Sequence, residues 1–256
     1  MTMQGVSQEL RRYYDGLAVN GPYATLAPDN RGGSKSRYVA EVFDAALLPL
    51  LRKETIPLRL LDFGCGTGIF TIKARPYVQE IVGVDLSPEL LSVARKLAAK
   101  SGMEIPFMQS DGGRLPIRSH SINRVLAREV LCNVPDEAMP DVLNEFGRIL
   151  EPKGKVYLLE QVSESPFWQR HPMTPLVRKR SVDELIDLFK TAGFDLESAV
   201  TVRQPRFPWI YPIWFRLLPA CFIPRLARLE VVWNRRFCPL RTKRWQDVLF
   251  VFRLFT

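Results

Sequence analysis

Apolar residues along this chain recur with two different spacings, and the two alternate. Short runs rich in Val, Ile and Leu predict buried strands near residues 58–63, 80–85, 105–109, 121–127, 155–161 and 194–203. Apolar residues spaced by three or four predict helices near residues 67–75, 88–101, 136–150 and 181–192. Strands alternating with helices of this length are typical of a parallel sheet wound on both faces. The sequence therefore predicts an α/β fold with a doubly wound, mostly parallel sheet.

Segments outside this alternation follow other patterns. Before the first strand, residues 7–17 and 37–52 have helical spacing, while Gly and Pro between them predict a loop over 18–36. After the sixth strand, about forty residues precede a last apolar strand, predicted over 246–253. Connections this long within a compact domain are usually functional.

A glycine-rich turn follows the first predicted strand. Glycine allows a tight turn and a close approach of the backbone to a ligand, and the helix after it directs free N–H groups at the same place. A dinucleotide fingerprint would need its third glycine at position 69, which is Ile69. The glycines here are Gly64, Gly66 and Gly68, so the turn favours another nucleotide-containing ligand.

The second predicted strand ends in an acid, Asp85. Ser87 and Pro88 suit the cap and the first position of the next helix. An acid at this point of a second strand is placed to accept hydrogen bonds from ribose hydroxyls.

Together, Asp62-Phe63-Gly64-Cys65-Gly66-Thr67-Gly68 and Val84-Asp85-Leu86-Ser87 resemble the motifs of the class I S-adenosylmethionine (SAM)-dependent methyltransferases. The match continues through 109–112 and 115–117, and covers about residues 58–202. The alternative is a glycine turn in an unrelated α/β protein. The resemblance implies a seven-stranded sheet whose last strand is antiparallel. It divides the chain into an N-terminal helical lid (1–57), a SAM-binding core (58–202), a basic aromatic insert (203–244) and the last core strand (245–256).

The resemblance also implies a set of cofactor contacts. The backbone of Gly64 and Gly66 would pack on the methionine part of SAM, Asp85 would hold the ribose, and Leu86 would pack on adenine. Asp111 would accept from the adenine amino group and the Gly112 N–H would reach a ring nitrogen. The full predicted set is Asp62, Gly64, Cys65, Gly66, Asp85, Leu86, Asp111, Gly112, Ala127 and Tyr14. Further lid candidates are Tyr23, Arg31 and Lys35, with packed aromatics or solvated bases as the alternative.

An oxygen nucleophile of high pKa would need a base near the transferred methyl group. Arg128 and Glu129 close the fourth strand on the substrate side and are the first candidates, followed by Glu160 and His171. The alternative for His171 is an ordinary loop residue. Residues 127–130 contain no Asn/Asp-Pro-Pro-Tyr/Phe motif, which argues against methylation of exocyclic base amines in nucleic acids. They also contain no Pro-Cys pair, which argues against covalent methylation at cytosine C5.

The positive charge of the chain is concentrated in the insert. The net charge is +9, and residues 203–244 contain ten Arg or Lys against one acid, Glu230. Its apolar part, 209–226, is interrupted by prolines and too short to span a bilayer. Trp209, Trp214 and Phe215 suit a membrane interface, and they equally suit a lid over an apolar substrate tunnel or a dimer contact. Nucleic acid is the remaining alternative.

Cysteine usage bears on compartment and metal binding. The four cysteines lack C-x-x-C spacing and the chain has two histidines, which argues against a disulfide scaffold and a zinc site. We therefore expect no metal and a reducing cytoplasm, with the insert placing the protein at the inner face of a membrane or in a homodimer. The predicted function is methyl transfer from SAM to a small-molecule or lipid- or glycan-linked acceptor. The alternatives are an RNA-modifying methyltransferase and a non-catalytic SAM-binding scaffold.

Overall fold

The computed structural model describes residues 3–23, 25–26, 33–169, 177–205 and 207–255, with side chains from residue 8 onward. The strands are β1 (Arg59–Phe63), β2 (Glu80–Asp85), β3 (Phe107–Gln109), β4 (Ile122–Arg128), β5 (Leu150–Val162), β6 (Phe194–Arg203) and β7 (Gln246–Leu254). The helices are α1 (Met3–Leu17), α2 (Ser34–Lys53), α3 (Ile69–Ala74), α4 (Pro88–Lys100), α5 (Met139–Ile149), α6 (Pro166–Gln169), α7 (Val182–Thr191), α8 (Ile210–Trp214) and α9 (Ile223–Phe237).

The strands form one sheet in the order β3-β2-β1-β4-β5-β7-β6. β1 to β5 are parallel, and β7 is antiparallel to both of its neighbours. The predicted fold class, a mostly parallel seven-stranded sheet, is confirmed. Because the carboxyl ends of β1, β2 and β4 meet at one edge, residues following those strands lie close together.

Each face of the sheet carries its own apolar core. Successive side chains of a strand point to opposite faces, so Leu60 belongs to one core and Leu61 to the other. The first core contains Phe43 of α2 and Phe70 of α3. The second packs α5 and α7 on the sheet, with Phe189 stacked on Phe252 at 3.9 Å between ring centroids. This two-sided burial explains the nearly continuous apolar runs of the central strands.

Several element boundaries differ from the sequence prediction, including that of α1, which begins at Met3 instead of residue 7. β5 begins at Leu150 instead of residue 155, because Leu150 pairs with Ile122 of β4 before the register shifts. α5 begins at Met139, three residues later than predicted. α2 begins at Ser34, so the predicted loop over 18–36 ends earlier.

The insert contains a helix that the sequence analysis did not predict. α9 spans 15 residues and begins with Pro224 in its first turn, where a proline does not cost a hydrogen bond. Ile223, Ala227 and Val231 are buried against the core on the α2 side of the sheet. The helices in the described ranges are all too short or too polar to cross a bilayer.

Candidate active site

The turn after β1 requires glycine. Gly64 has a φ of +72° and Gly66 one of +56°, which side chains rarely tolerate. A Cβ on Gly64 would lie 2.4 Å from Cγ2 of Val130. The N–H groups of Gly64 and Cys65 donate to the Val84 carbonyl at 2.8 and 2.9 Å, which fixes the turn against β2.

Asp85 joins this turn to the end of β2. One carboxylate oxygen accepts from the Gly66 N–H at 2.8 Å and the other from the Ser87 N–H at 2.9 Å. Ser87 in turn caps α4 by accepting from the Leu90 N–H at 3.1 Å. Burial raises the pKa of Asp85 to about 6, against the opposing effect of these N–H donors. Asp85 is thus held rigidly with its carboxylate at the rim of a cavity.

That cavity has a volume of about 720 Å³ and runs along the carboxyl edge of the sheet. Nine of the predicted site residues line it: Tyr14, Gly64, Cys65, Gly66, Asp85, Leu86, Asp111, Arg128 and Glu129. A turn with no room for a side chain, next to a half-buried acid, fits the ribose and amino-acid parts of SAM. The residues present therefore fit this cofactor.

Four other predicted residues do not line the cavity. Asp62 is buried and accepts from the Thr71 hydroxyl at 2.6 Å, with burial raising its pKa. Ala127 is buried within the sheet. The Gly112 N–H donates to the Ser110 hydroxyl at 3.1 Å, so it is already occupied.

Glu160 is the fourth, and its carboxylate is engaged with the backbone. It accepts from the N–H groups of Val130, Leu131 and Cys132 at 2.7, 2.8 and 3.3 Å. Burial raises its pKa to about 7. These contacts fix the loop after β4, so Glu160 positions its neighbours and does not face the cavity.

The N-terminal segment closes one side of the cavity. The Tyr14 hydroxyl donates to Oδ1 of Asn133 at 3.0 Å, and the Thr67 hydroxyl donates to the Pro22 carbonyl at 2.6 Å. Ser87 also donates to Asp15 of α1. Of the other lid candidates, Tyr23 is half-buried, Lys35 lies 4.4 Å from the centroid of the Trp214 ring, and Arg31 falls outside the described residues.

Charged residues form one part of the cavity wall, which we call the charged end: Arg128, Glu129, Lys179 and Arg203. Glu129 has a φ of +49°, an unfavourable conformation that turns the chain into the cavity after β4. Burial raises the pKa of Glu129 well above its usual range; Asp247 raises it further, and Arg203 opposes both. Oε1 of Glu129 and Nη1 of Arg128 are buried, and neither has a hydrogen-bond partner in the described part of the chain. His171, the remaining predicted base, falls outside the described residues.

Three residues of this end were not predicted as site residues. Arg203, counted with the surface charge of the insert, is instead buried and paired with Asp247 of β7. Asp247 also accepts from Gln161 at 3.2 Å. Burial lowers the pKa of Lys179. One signal was available in the sequence: an acid, Asp247, inside the apolar run of the last strand.

A second cavity of about 310 Å³ shares Arg203 with the first. Five aromatic residues line it, Trp168, Phe207, Tyr211, Trp214 and Trp245, and Lys35, Glu230 and Arg244 are also in its wall. Arg203 lines both cavities and lies 4.9 Å from the centroid of the Trp245 ring. The described residues contain no cluster of His, Cys, Asp and Glu that could hold a metal ion.

Comparisons with known proteins agree with this geometry. A family described as "Methyltransferase domain" matches residues 60–154. An arsenite methyltransferase of Halobacterium salinarum is 30% identical over 146 residues, covering 53% of this chain and 37% of its own. A ubiquinone biosynthesis O-methyltransferase of Nitrosococcus oceani is 37% identical over 100 residues, covering 39% and 42%. The chain thus spans less than half the length of these two relatives.

Solved structures extend the likeness to nearly the whole chain. The crystal structure of the [4+2]-cyclase SpnF superposes with a TM-score of 0.71 at 20% identity, covering 98% of this chain and 96% of that one. At this identity the likeness concerns the fold alone. The match includes the N-terminal helices and the insert, which lie outside residues 60–154.

Proposed function

We propose that this chain, which belongs to the class I SAM-dependent methyltransferases, transfers a methyl group to an ionisable hydroxyl on an apolar ring compound. When bound, SAM supplies a methyl group already activated on a sulfonium, so the protein mainly contributes positioning, desolvation and proton transfer. The observation that carries the proposal is that two residues lining the cavity, Glu129 and Arg128, each have a buried polar atom without a partner in the described part of the chain, Oε1 and Nη1 respectively.

These two atoms complement a hydroxyl group. A hydroxyl donates one hydrogen bond and accepts others, so it can donate to the Glu129 carboxylate and accept from the Arg128 guanidinium. A buried polar atom without a partner is costly, so such a ligand gains affinity by satisfying both.

The charges at this end favour an oxyanion. Arg128, Lys179 and Arg203 line the cavity together with Glu129, and Arg203 is also paired with Asp247. Nearby cations lower the pKa of an acceptor hydroxyl, and the raised pKa of Glu129 makes its carboxylate a stronger base. The acceptor oxygen then receives the methyl group while Glu129 holds the proton.

The second cavity supports the apolar part of the acceptor. Its aromatic walls adjoin the cation cluster at Arg203, so a ring or chain extending from the reacting hydroxyl can pack there. The name of the ubiquinone O-methyltransferase relative assigns to that protein a methyl transfer to oxygen in quinone biosynthesis. This supports an acceptor of the same chemical class.

A soft-ion acceptor is less well supported. The name of the Halobacterium relative indicates arsenite, and arsenic(III) is expected to bind to thiolates as soft ions do. Among the described lining residues the cysteines are Cys65 and Cys132, and Cys65 is part of the glycine turn. Burial raises the pKa of both thiols, which disfavours thiolates.

The test is an acceptor panel with methyl-labelled SAM. It should contain hydroquinones and phenols with and without prenyl tails, their O-methylated counterparts, aromatic amines, arsenite and total RNA. We expect labelling of free hydroxyl compounds, highest with an apolar tail, and none of the O-blocked counterparts. Labelling confined to amines, arsenite or RNA would refute the proposed acceptor, and SAM binding without any transfer would indicate a non-catalytic protein.

A further inference from the structure

The outward face of α9 is apolar although it faces solvent. On the 3.6-residue period, Leu229, Val232, Trp233 and Phe237 share one side of the helix. Their exposed fractions are 57%, 65%, 54% and 64%. The opposite side, with Ile223, Ala227 and Val231, is already buried in the core. A helix apolar on both sides, with one side uncovered, indicates a surface that binds something.

Charges on the outward face have a single sign. Arg225, Arg228 and Arg236 are exposed among or beside the apolar residues. The acid of this helix, Glu230, is buried on the inward side and accepts from the Tyr38 hydroxyl. The outward face therefore presents cations and apolar groups together.

The core holds the helix that carries this face. Nδ2 of Asn234 donates to the Val202 carbonyl at 3.1 Å, and Nη2 of Arg235 donates to the Ala46 carbonyl at 3.1 Å. The face is therefore presented by an element fixed to both β6 and α2, and docking needs no rearrangement of the helix.

We propose that the outward face of α9 docks onto a membrane surface rich in anionic phospholipid. Arginine interleaved with Leu, Val, Trp and Phe matches the boundary between anionic headgroups and acyl chains. A second copy of the chain fits less well, because a two-fold contact through this face would place its arginines against one another. Nucleic acid would pair with the arginines but leave the four apolar side chains in water. The proposal is independent of which acceptor is methylated.

The experiment is co-sedimentation of the full chain with vesicles of phosphatidylcholine, with and without a third of phosphatidylglycerol. We expect binding to the anionic vesicles only. Combined replacement of Arg225, Arg228 and Arg236 by Glu should weaken partitioning by at least about a hundredfold, since each basic residue near such a surface contributes about fivefold. The matched control reverses Lys96, Lys100 and Arg118, which are also exposed, and should change binding far less.

A second variant tests the apolar part. Leu229→Ser, Trp233→Ser and Phe237→Ser together should abolish the binding that remains in 0.5 M salt, where charge attraction is screened within about 4 Å. The control replaces Ile56, Phe167 and Phe255, also exposed, by Ser and should bind as wild type. Circular dichroism establishes that each variant is folded. Equal binding to neutral and anionic vesicles would overturn the proposal, and so would unchanged binding of the arginine variant. A third contrary outcome is a wild type that ignores vesicles and forms a dimer, together with a serine variant that is monomeric.

Discussion

Asp85 combines two tasks in one side chain. Its carboxylate accepts backbone N–H groups from the glycine turn and from the start of α4, and it faces the cavity where a ribose would lie. A third and fourth hydrogen bond from ribose hydroxyls would use its remaining lone pairs. The backbone contacts that position Asp85 thus leave lone pairs of its carboxylate free to bind a ribose.

Replacing Asp85 by Ala should weaken SAM binding at least about tenfold, because hydrogen bonds to a charged group contribute about 1.5–3 kcal/mol each. Isothermal titration calorimetry measures the affinity, and Glu89→Ala, exposed in the first turn of α4, is the matched control. Because the pKa of Asp85 is about 6, wild-type affinity should also fall as the pH drops below that value. Unchanged affinity in the Ala variant would contradict the role of Asp85.

Glu129→Gln should lower kcat by about a hundredfold or more, since general bases contribute about 10²–10⁴-fold. The wild-type pH–rate profile should rise through a pKa above the usual range of a carboxylate, because the ionised form accepts the proton and burial raises that pKa. The Gln variant should lose this limb while binding SAM normally. Glu160→Gln is the comparison. We expect it to lower the free energy of unfolding and to leave the pH–rate profile unchanged.

Among the elements, the insert (residues 203–244) packs into the core more than its charged and aromatic composition indicates. For Trp209 the sequence leaves a membrane interface, a lid and a dimer contact open. In the structure its Nε1–H donates to the Tyr38 hydroxyl at 2.6 Å, and Tyr38 donates to Glu230. The three residues connect the start of the insert, α2 and α9 through one buried chain of hydrogen bonds. The insert is therefore part of the folded core on its inner side.

Trp209→Phe should lower the free energy of unfolding by about 1–2 kcal/mol, because it removes one donor from this buried chain while keeping an aromatic ring. Trp233→Phe, on the exposed side of α9, should change it by less than about 0.5 kcal/mol. Urea unfolding measures both. Equal effects of the two changes would mean that the hydrogen bond to Tyr38 contributes nothing measurable.

The sequence predicts the strands well and the insert helix poorly, for physical reasons. Each core strand lies in a short, mainly apolar run bounded by turns, and burial on both faces of the sheet makes the central runs nearly continuous. α9 has apolar residues on both sides and a proline at its start, so it shows no single stripe from which a helix could be inferred. Its orientation is set by Tyr38 and Asn234 contacts that no local pattern contains.

At the scale of the whole molecule, the candidate site also combines parts that the sequence predicts with parts that only the folded chain brings together. The glycine turn and Asp85 are local features, separated by about twenty residues and fixed by turn geometry. The proposed acceptor end is assembled from β4, the segment before α7, and β6, so Arg128, Lys179 and Arg203 meet only in the folded chain. Sequence alone identified Arg128 and Glu129 as candidates, and it treated Arg203 as surface charge because charge counting ignores burial.

Buried carboxylates should make the whole protein less stable as the pH rises. Burial raises the pKa of Glu230 from 4.5 to about 7, with Tyr38 and Arg203 opposing. A folded pKa above the unfolded value favours the folded state below about pH 4.5, and this contribution is lost as the pH rises through about 7. The loss is about 3 kcal/mol, at about 1.4 kcal/mol per unit of pKa.

Glu230→Gln removes this contribution while keeping an acceptor for Tyr38. The difference in unfolding free energy between pH 5 and pH 8, measured by urea denaturation, should therefore be about 3 kcal/mol smaller in the variant. Asp195→Asn, an exposed acid on β6, is the control and should leave the difference unchanged. An identical pH dependence in wild type and Glu230→Gln would show that Glu230 does not titrate in this range.

The position of β7 has a consequence for how the molecule is made. β6 reaches the sheet only through β7, which lies between it and β5, yet β7 follows β6 by about forty residues of chain. A ribosome therefore releases β6 well before its hydrogen-bonding partner exists, and the edge of β5 also stays open meanwhile. Arg203 and Asp247 lie on these two strands, so this ion pair beside the proposed acceptor end forms only when β7 docks between β5 and β6. A nascent chain could already hold SAM at the glycine turn while having nowhere to place an acceptor.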